Sequence, residues 1–479
     1  MHKVRENKVL EYFEIISSIP RGSGNTKAIS DYCVSFAKEH GLLYYQDNSN
    51  NVIIYKPATA GREADNGVII QGHLDMVNEK TPDYLHSFEK DGLELVYEGD
   101  YIEAKDTTLG GDDGIAIAYA LAILDDNSLS HPRLEAVFTV DEEIGMLGAE
   151  ALDMTRIKGK YLLNVDSEEE GIFLSGCAGG RTVICNIDCD YVSEEGYRYV
   201  INISGLKGGH SGTEINKERA NAHILMGRVL DKINKSCGIN IVNIKGGTKD
   251  NVIPNMCTSE ILVKNISGIE DIAENMQKIF RAEYRYSDNE IKVDVISEDK
   301  QIQKISAGSE EFTEKVIDFL MLAPQGIYGR EKDNAELVES SLNMGSLKVD
   351  EEGMCAIYSV RSSVKEKKEY MCSLLEKLCD MLGGRYCEKG DYPAWEYCPE
   401  SELRKVMISI YKRMYNREPK VETIHAGVEC GYFAERCPGI DIVSFGPDIF
   451  DIHTVKEKMS ISSVQRTYEF ILEVLNELK

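Results

Sequence analysis

At 479 residues and 42% hydrophobic content the chain can bury a large core and exceeds the usual size of one domain, so a globular protein of two or three domains is expected. Its 54 Lys+Arg against 81 Asp+Glu leave a formal net charge of −27, which repels phosphate backbones and anionic lipid and so argues against nucleic acid or membrane partners. The same charge also serves solubility.

The first twenty residues scatter charges among their apolar positions and lack the continuous apolar core of a signal peptide. No later run is long and apolar enough to cross a bilayer. Thirteen cysteines, an odd number without a regular framework, read as reduced thiols in a chain too large to need disulfide staples. Cytoplasm is the compartment expected. Cys185 and Cys189 bracket three residues of a strand-like segment, and no second pair completes a four-ligand zinc site.

In chain order, helical spacing of apolar residues predicts helices over 8–19 and 25–40, the second ending at Gly41. Strands follow at 51–55 and 67–72, the latter a β-branched run suited to a sheet buried on both faces. An Ala- and Ile-rich helix follows Gly114, and 134–140 is another buried strand. This alternation argues for an α/β layer architecture, with a mixed sheet sandwiched by helices. From about Arg181 the texture changes to alternating strands and longer amphipathic helices, and it reverts near Ser401. The expected division is therefore a first part of an α/β domain at 1–182, an inserted α+β domain at 183–396, and the second part of the α/β domain at 397–479. Within the insertion, strand, helix, strand, strand, helix, strand over 181–298 and a similar order over 302–390 suggest two ferredoxin-like lobes, with helices at about 215–235, 268–284, 309–322 and 364–383.

Four segments of the α/β part offer His or carboxylate. His73 and Asp75 end a buried strand, where open α/β sheets place their ligands, and residues two apart share a side, so Asp75 can orient the His73 ring. Taken alone the pair also fits an ordinary hydrogen-bonded histidine. Asp112 and Asp113 lie in a glycine-rich turn that opens a helix, which by itself also fits a turn with a helix cap. Asp141, Glu142 and Glu143 crowd three acids directly after a strand, where they repel unless a cation or proton neutralises them. Asp166 ends a further apolar strand.

The segments GHLDM, LGGDDG, TVDEEIGMLGA, LLNVDSEE, GLKGGHSG and GPDIFDIHT occur in the order of, and resemble, the motifs of the aminoacyl-histidine dipeptidases, in the cocatalytic zinc peptidase group with aminoacylases and carboxypeptidase G. The resemblance spans essentially the whole chain. It implies that His73 and Asp166 bind one metal, Glu143 and His453 the other, and Asp112 bridges both, with Asp75 orienting His73 and Glu142 as general base. Zinc is the implied metal, with manganese or cobalt as substitutes, since such sites are not selected by affinity alone. Asp113 stands where the family often has Asn, and Thr454-Val455 where it commonly has Ser-Pro.

The resemblance further implies that the inserted domain acts as a lid. His210, among glycines, becomes an oxyanion stabiliser supplied by the lid or by a neighbouring subunit, and otherwise reads as a surface histidine. Asn251 and Arg361 resemble residues that bind the substrate carboxylate; an ordinary salt bridge suits Arg361 equally. Glu429 would hold an ammonium group, or be a plain surface carboxylate. The implied activity is metal-dependent hydrolysis of dipeptides, Xaa-His (including β-Ala-His) favoured, by a monomer or homodimer. The alternatives are a tripeptide aminopeptidase or N-acyl amino acid amidohydrolase on the same scaffold, or a non-catalytic peptide-binding metalloprotein.

Overall fold

The computed structural model describes residues 7–265, 268–332 and 337–479. It divides into two compact units, one of residues 1–177, 395–423 and 428–479, the other of residues 178–394 and 424–427. Within the first unit the chain leaves and re-enters through an antiparallel bridge between Cys177 and Trp395.

The first unit is built on an eight-stranded mixed sheet. Its order is Leu43–Gln46, Val52–Lys56, Leu134–Thr139, Val68–His73, Tyr161–Asn164, Asp441–Ser444, Ile172–Cys177 and Lys420–Ile424. The four strands Leu134–Thr139, Val68–His73, Tyr161–Asn164 and Asp441–Ser444 are mutually parallel. The first three are buried at every position, as strands covered on both faces require. One covering element is the helix Gly111–Asp125, whose residues Gly114–Leu124 are all buried; its alternating Ala and Ile let it pack on all sides without a polar face. The predicted early helices form as Lys8–Ser17, capped by the Asn7 side chain, and Lys27–Glu39. A separate four-stranded sheet joins Ile449–Phe450, Lys458–Ser460, Tyr101–Ala104 and Leu95–Glu98.

The second unit carries one nine-stranded sheet. Its main path runs Lys292–Gly308, Tyr191–Ser204, Cys257–Val263, Ile239–Gly246, Val338–Asp350, Gly353–Ser362, Gly179–Ile187, Arg385–Tyr392, with Gly326–Arg330 beside Val338–Asp350. The helices are Ala222–Cys237, Ile269–Glu283, Glu310–Leu322 and Lys365–Leu382. Both lobes have the ferredoxin-like order, but their boundaries differ from the sequence reading. The strand Gly179–Ile187 pairs with Gly353–Ser362 and Arg385–Tyr392, so the first strand of the second lobe precedes the whole first lobe in the chain. The predicted break between 298 and 302 falls inside one strand, Lys292–Gly308, which pairs with Tyr191–Ser204 on either side of a register shift that sets Ser297 opposite Tyr199 and Ile302 opposite Tyr197. The helix expected from 215 starts at Ala222 because the Asn221 side chain caps it, accepting from the His223 N–H.

Candidate metal centre

Four loops at the C-terminal ends of adjacent parallel strands converge in the first unit, the position at which open α/β sheets bind ligands. His73 is the last residue of its strand; Val140–Glu143 follow the next strand, Asp166 follows the third and His453 lies beyond the fourth. Asp112 comes from the turn that opens the buried helix, where Gly110 takes φ +64° and Asp112 itself is non-helical; the Asp112–Asp113 peptide is cis.

At the centre, Asp112 lies between two imidazoles. Its Oδ1 is 3.0 Å from His73 Nε2 and its Oδ2 is 3.1 Å from His453 Nε2. Asp166 Oδ1 is 3.5 Å from His73 Nε2, and Glu143 Oε1 is 3.1 Å from His453 Nε2. Ligand atoms of Asp112, Glu143 and His453, and separately of His73, Glu142 and Glu143, all lie within 4.8 Å of one another. The structure thus brings together the five residues to which the family resemblance gave metals. Glu142 makes no side-chain hydrogen bond or ion pair among the described residues, although its backbone N–H is held by Asp75 Oδ1 at 3.1 Å.

Asp75 does more than face His73 Nδ1, 3.4 Å away. It also accepts from the N–H groups of Glu142 and Glu143 and from Ser23 Oγ, so one buried carboxylate aligns the histidine and the two-glutamate loop together. Asp113, the departure from the family pattern, turns to the backbone: its Oδ2 accepts from the His73 N–H at 3.1 Å. Glu429 is fully buried, its Oε2 accepting from Gln71 Nε2 at 2.7 Å and Thr139 Oγ1 at 2.5 Å, while its Oε1 has no hydrogen-bond partner among the described residues.

The electrostatics follow from this crowding. Burial alone would lower the His73 pKa, but Asp166, Asp112 and Asp75 raise it well above the usual histidine range. Hydrogen bonds to Asp112 and Glu143 push His453 up to about 11. Burial raises Glu142, Glu143, Asp166 and Asp113, and takes Glu168 to about 8 and Glu429 to about 7. A cluster this rich in buried acid oxygens favours cations. Glu143 Oε1 is a buried oxygen that faces the His453 ring, 3.1 Å away, so its partner is a group that could itself take a metal. Imidazole and carboxylate together suit zinc, and also manganese or cobalt.

Sequence reasoning missed two residues here. Glu457 receives backbone N–H groups from the turn before Asp112, and Arg21 donates to carbonyls of that turn and of the His73 loop. Their signals were present: Glu457 lies four residues beyond His453, and Arg21 stands between Pro20 and a Gly-Ser-Gly turn.

The second unit holds the remaining candidates. The two-residue strand containing His210 pairs with Val252–Ile253, and Ser211 donates to the Asn251 carbonyl at 2.9 Å, which makes His210 and Asn251 neighbours. His210 Nδ1 accepts from the N–H groups of Gly212 and Thr213, at 3.2 and 3.1 Å, leaving the ring proton on Nε2. Burial and then Arg361 lower its pKa, which keeps the ring neutral. Arg361 is largely buried; its Nη1 donates to Tyr392 Oη at 2.8 Å and its Nε has no hydrogen-bond partner among the described residues.

A profile of peptidase family M20/M25/M40 matches residues 69–477. The chain belongs to peptidase family M20/M25/M40. It is a metallopeptidase by that membership. Within curated proteins it is 34% identical over 475 residues to the cytosol non-specific dipeptidase of Escherichia coli strain K12, covering 98% of this chain and 97% of that one. Among solved structures it resembles the aminoacylhistidine dipeptidase of Vibrio alginolyticus, with a TM-score of 0.92, 31% identity, and 98% and 96% of the two chains covered. The aminopeptidase PepT of Bacillus cereus, at 16% identity and a TM-score of 0.57 with 98% of each chain covered, shares the fold. All thirteen cysteines of this M20/M25/M40 peptidase are free thiols, and no helix among the described residues is long and apolar enough to cross a membrane.

Proposed function

We propose that this chain is a dipeptidase with two divalent ions, taking Xaa-His substrates such as β-Ala-His among others. The observation that carries this reading is the central carboxylate: each oxygen of Asp112 faces a different imidazole, with Glu142 beside them uncommitted to any partner. His73 and Asp166 would hold one ion and Glu143 and His453 the other, with Asp112, whose two oxygens face the two histidines, as the ligand they would share. Zinc suits the donor set, with manganese or cobalt as substitutes. Two such ions would supply Lewis acidity, lowering the pKa of a water and polarising the scissile carbonyl.

Glu142 takes the proton of the attacking water and delivers it to the leaving amine, a task for which burial has already raised its proton affinity. Asp75 fixes the His73 ring and, through two backbone N–H groups, the direction in which Glu142 and Glu143 point. His210, neutral with its proton on Nε2, has the right tautomer to donate to a developing oxyanion. It belongs to the second unit, which is thereby assigned the role of lid, contributed by the same chain or by a second copy. Asn251 and Arg361 take the substrate carboxylate, Arg361 through its unpaired Nε. Glu429 is assigned to the ammonium side by its unpaired Oε1, but its full burial means that this contact requires the side chain to be uncovered on binding.

Two relatives at least 30% identical over nearly the full chain bear dipeptidase names, one non-specific and one aminoacylhistidine, and the former is named as cytosolic, which supports a cytoplasmic assignment. The deciding experiment offers purified protein, stripped of metal and then reloaded with zinc, a panel of β-Ala-His, other dipeptides, tripeptides and N-acyl amino acids. Metal-dependent cleavage confined to dipeptides, with about two ions bound per chain, is the expected result. Preferred turnover of tripeptides or acyl amino acids would replace this reading by one of the alternative amidases, and zinc binding without any turnover by a peptide-binding metalloprotein.

A further inference from the structure

The bridging role given to Asp112 raises a question of support. Among the described residues the hydrogen-bond partners of its carboxylate are His73 Nε2 and His453 Nε2, groups that are themselves assigned to metals. Once those nitrogens face ions, the direction of the Asp112 side chain has to be set by its own backbone. That backbone is gripped from two sides. Glu457 Oε2 accepts from the N–H groups of Leu109 and Gly110 at 2.9 and 3.0 Å, and its Oε1 accepts from Gly111 at 2.8 Å, with the Asp112 N–H at 3.5 Å. Arg21 Nη2 donates to the Gly110 carbonyl, and its Nη1 to the carbonyls of Leu74 and Asp75, at 3.1 and 3.0 Å.

Each side chain also spans two ligand segments. Glu457 ends the turn that begins after His453, its N–H donating to the Thr454 carbonyl, so it ties the His453 loop to the Asp112 loop. Arg21 ties the His73–Asp75 segment to that same turn. Both side chains are almost fully buried, and the space is filled: a Cβ on Gly110 or Gly114 would meet Arg21 Nη2 at 2.5 Å. Glycine at these positions is what lets the guanidinium reach the backbone.

We propose that Arg21 and Glu457 are positioning residues, a buried guanidinium on the Gly110 carbonyl and a buried carboxyl group on the N–H groups of the Leu109–Asp112 turn, which together clamp that turn and thereby fix the bridging carboxylate relative to both histidines. The proposal rests on the ligand assignment above. A residue that orients a ligand through its neighbours typically contributes about 10- to 100-fold in metal affinity. Glu457→Gln keeps the side-chain volume but sets an NH₂ against backbone N–H groups, so the turn loses part of its grip without a cavity.

The test is calorimetric titration of metal-free full-length protein with zinc alone, beside thermal melts of the same metal-free samples. Glu457→Gln is expected to weaken zinc binding roughly 10- to 100-fold, by more than any change in its metal-free melting temperature accounts for. Arg21→Met/Glu457→Gln, which does not leave the Arg21 guanidinium without the Glu457 carboxyl group, is expected to show at least the same defect and serves if the single variant does not fold. Zinc isotherms that superimpose on the parent's, whatever the change in melting temperature, would reduce the pair to a structural role and overturn the proposal. A parent protein that itself binds no zinc would instead refute the ligand assignment, and the clamp with it.

Discussion

Replacing Glu142 by Gln separates proton transfer from metal binding. The side chain has no hydrogen bond or ion pair to lose among the described residues, and burial, with Asp166, Glu429 and Glu143 nearby, already disfavours its charge. A neutral isostere therefore removes repulsion and leaves packing intact, so the metal-free protein should be as stable as the parent or slightly more so. Catalysis should suffer instead. General-base transfer contributes roughly 10²–10⁴-fold, about 3–5 kcal/mol of barrier, and a group that also serves the leaving amine stands at the upper end. Glu143→Gln should act the other way: it removes an oxygen 3.1 Å from His453 Nε2, so zinc affinity should fall, with activity partly recovered at high zinc. Single-turnover rates on β-Ala-His at saturating zinc, together with zinc titrations, distinguish the two. A Glu142→Gln enzyme with normal single-turnover rate, or one whose loss is cured by added zinc, would show that the two glutamates have been assigned in reverse.

His210→Ala should lower kcat by about 10²–10³-fold, the usual cost of an oxyanion donor, while zinc stoichiometry stays that of the parent; an unchanged kcat would remove His210 from the chemistry. His223 in the second unit is fully buried, and burial pushes its pKa down to about 4. The unfolded chain binds the proton at about 6.5, so this stability is fully present above that pH and is lost as pH falls toward 4, by about 3 kcal/mol in all. Denaturant melts at pH 7, 5.5 and 4.5 should show that slope in the parent and a shallower one in His223→Gln; equal slopes would mean that other groups carry the acid sensitivity.

The local pattern of the chain was enough to place the two early helices, the Ala- and Ile-rich helix, the buried strands that end near His73, Val140 and Asn164, and the acids and histidine that follow them, but it gave no element for the helices Glu402–Tyr415 and Ile461–Glu477 or the central strand Asp441–Ser444. Period and composition are local properties, and an apolar run that stops at His73 or at Asn164 marks both a central strand and the loop at its end. The family resemblance supplied the pairing of ligands with metals, which no spacing contains. Tertiary structure decided the rest. That Asp112 divides its two oxygens between His73 and His453 depends on a contact across 341 positions of sequence. That the strand Gly179–Ile187 belongs with Arg385–Tyr392, and not with its successor, is a matter of sheet register. Arg21 and Glu457 act on backbone N–H and carbonyl groups, which every residue carries alike, so nothing in the sequence of the Leu109–Asp112 turn records who holds it.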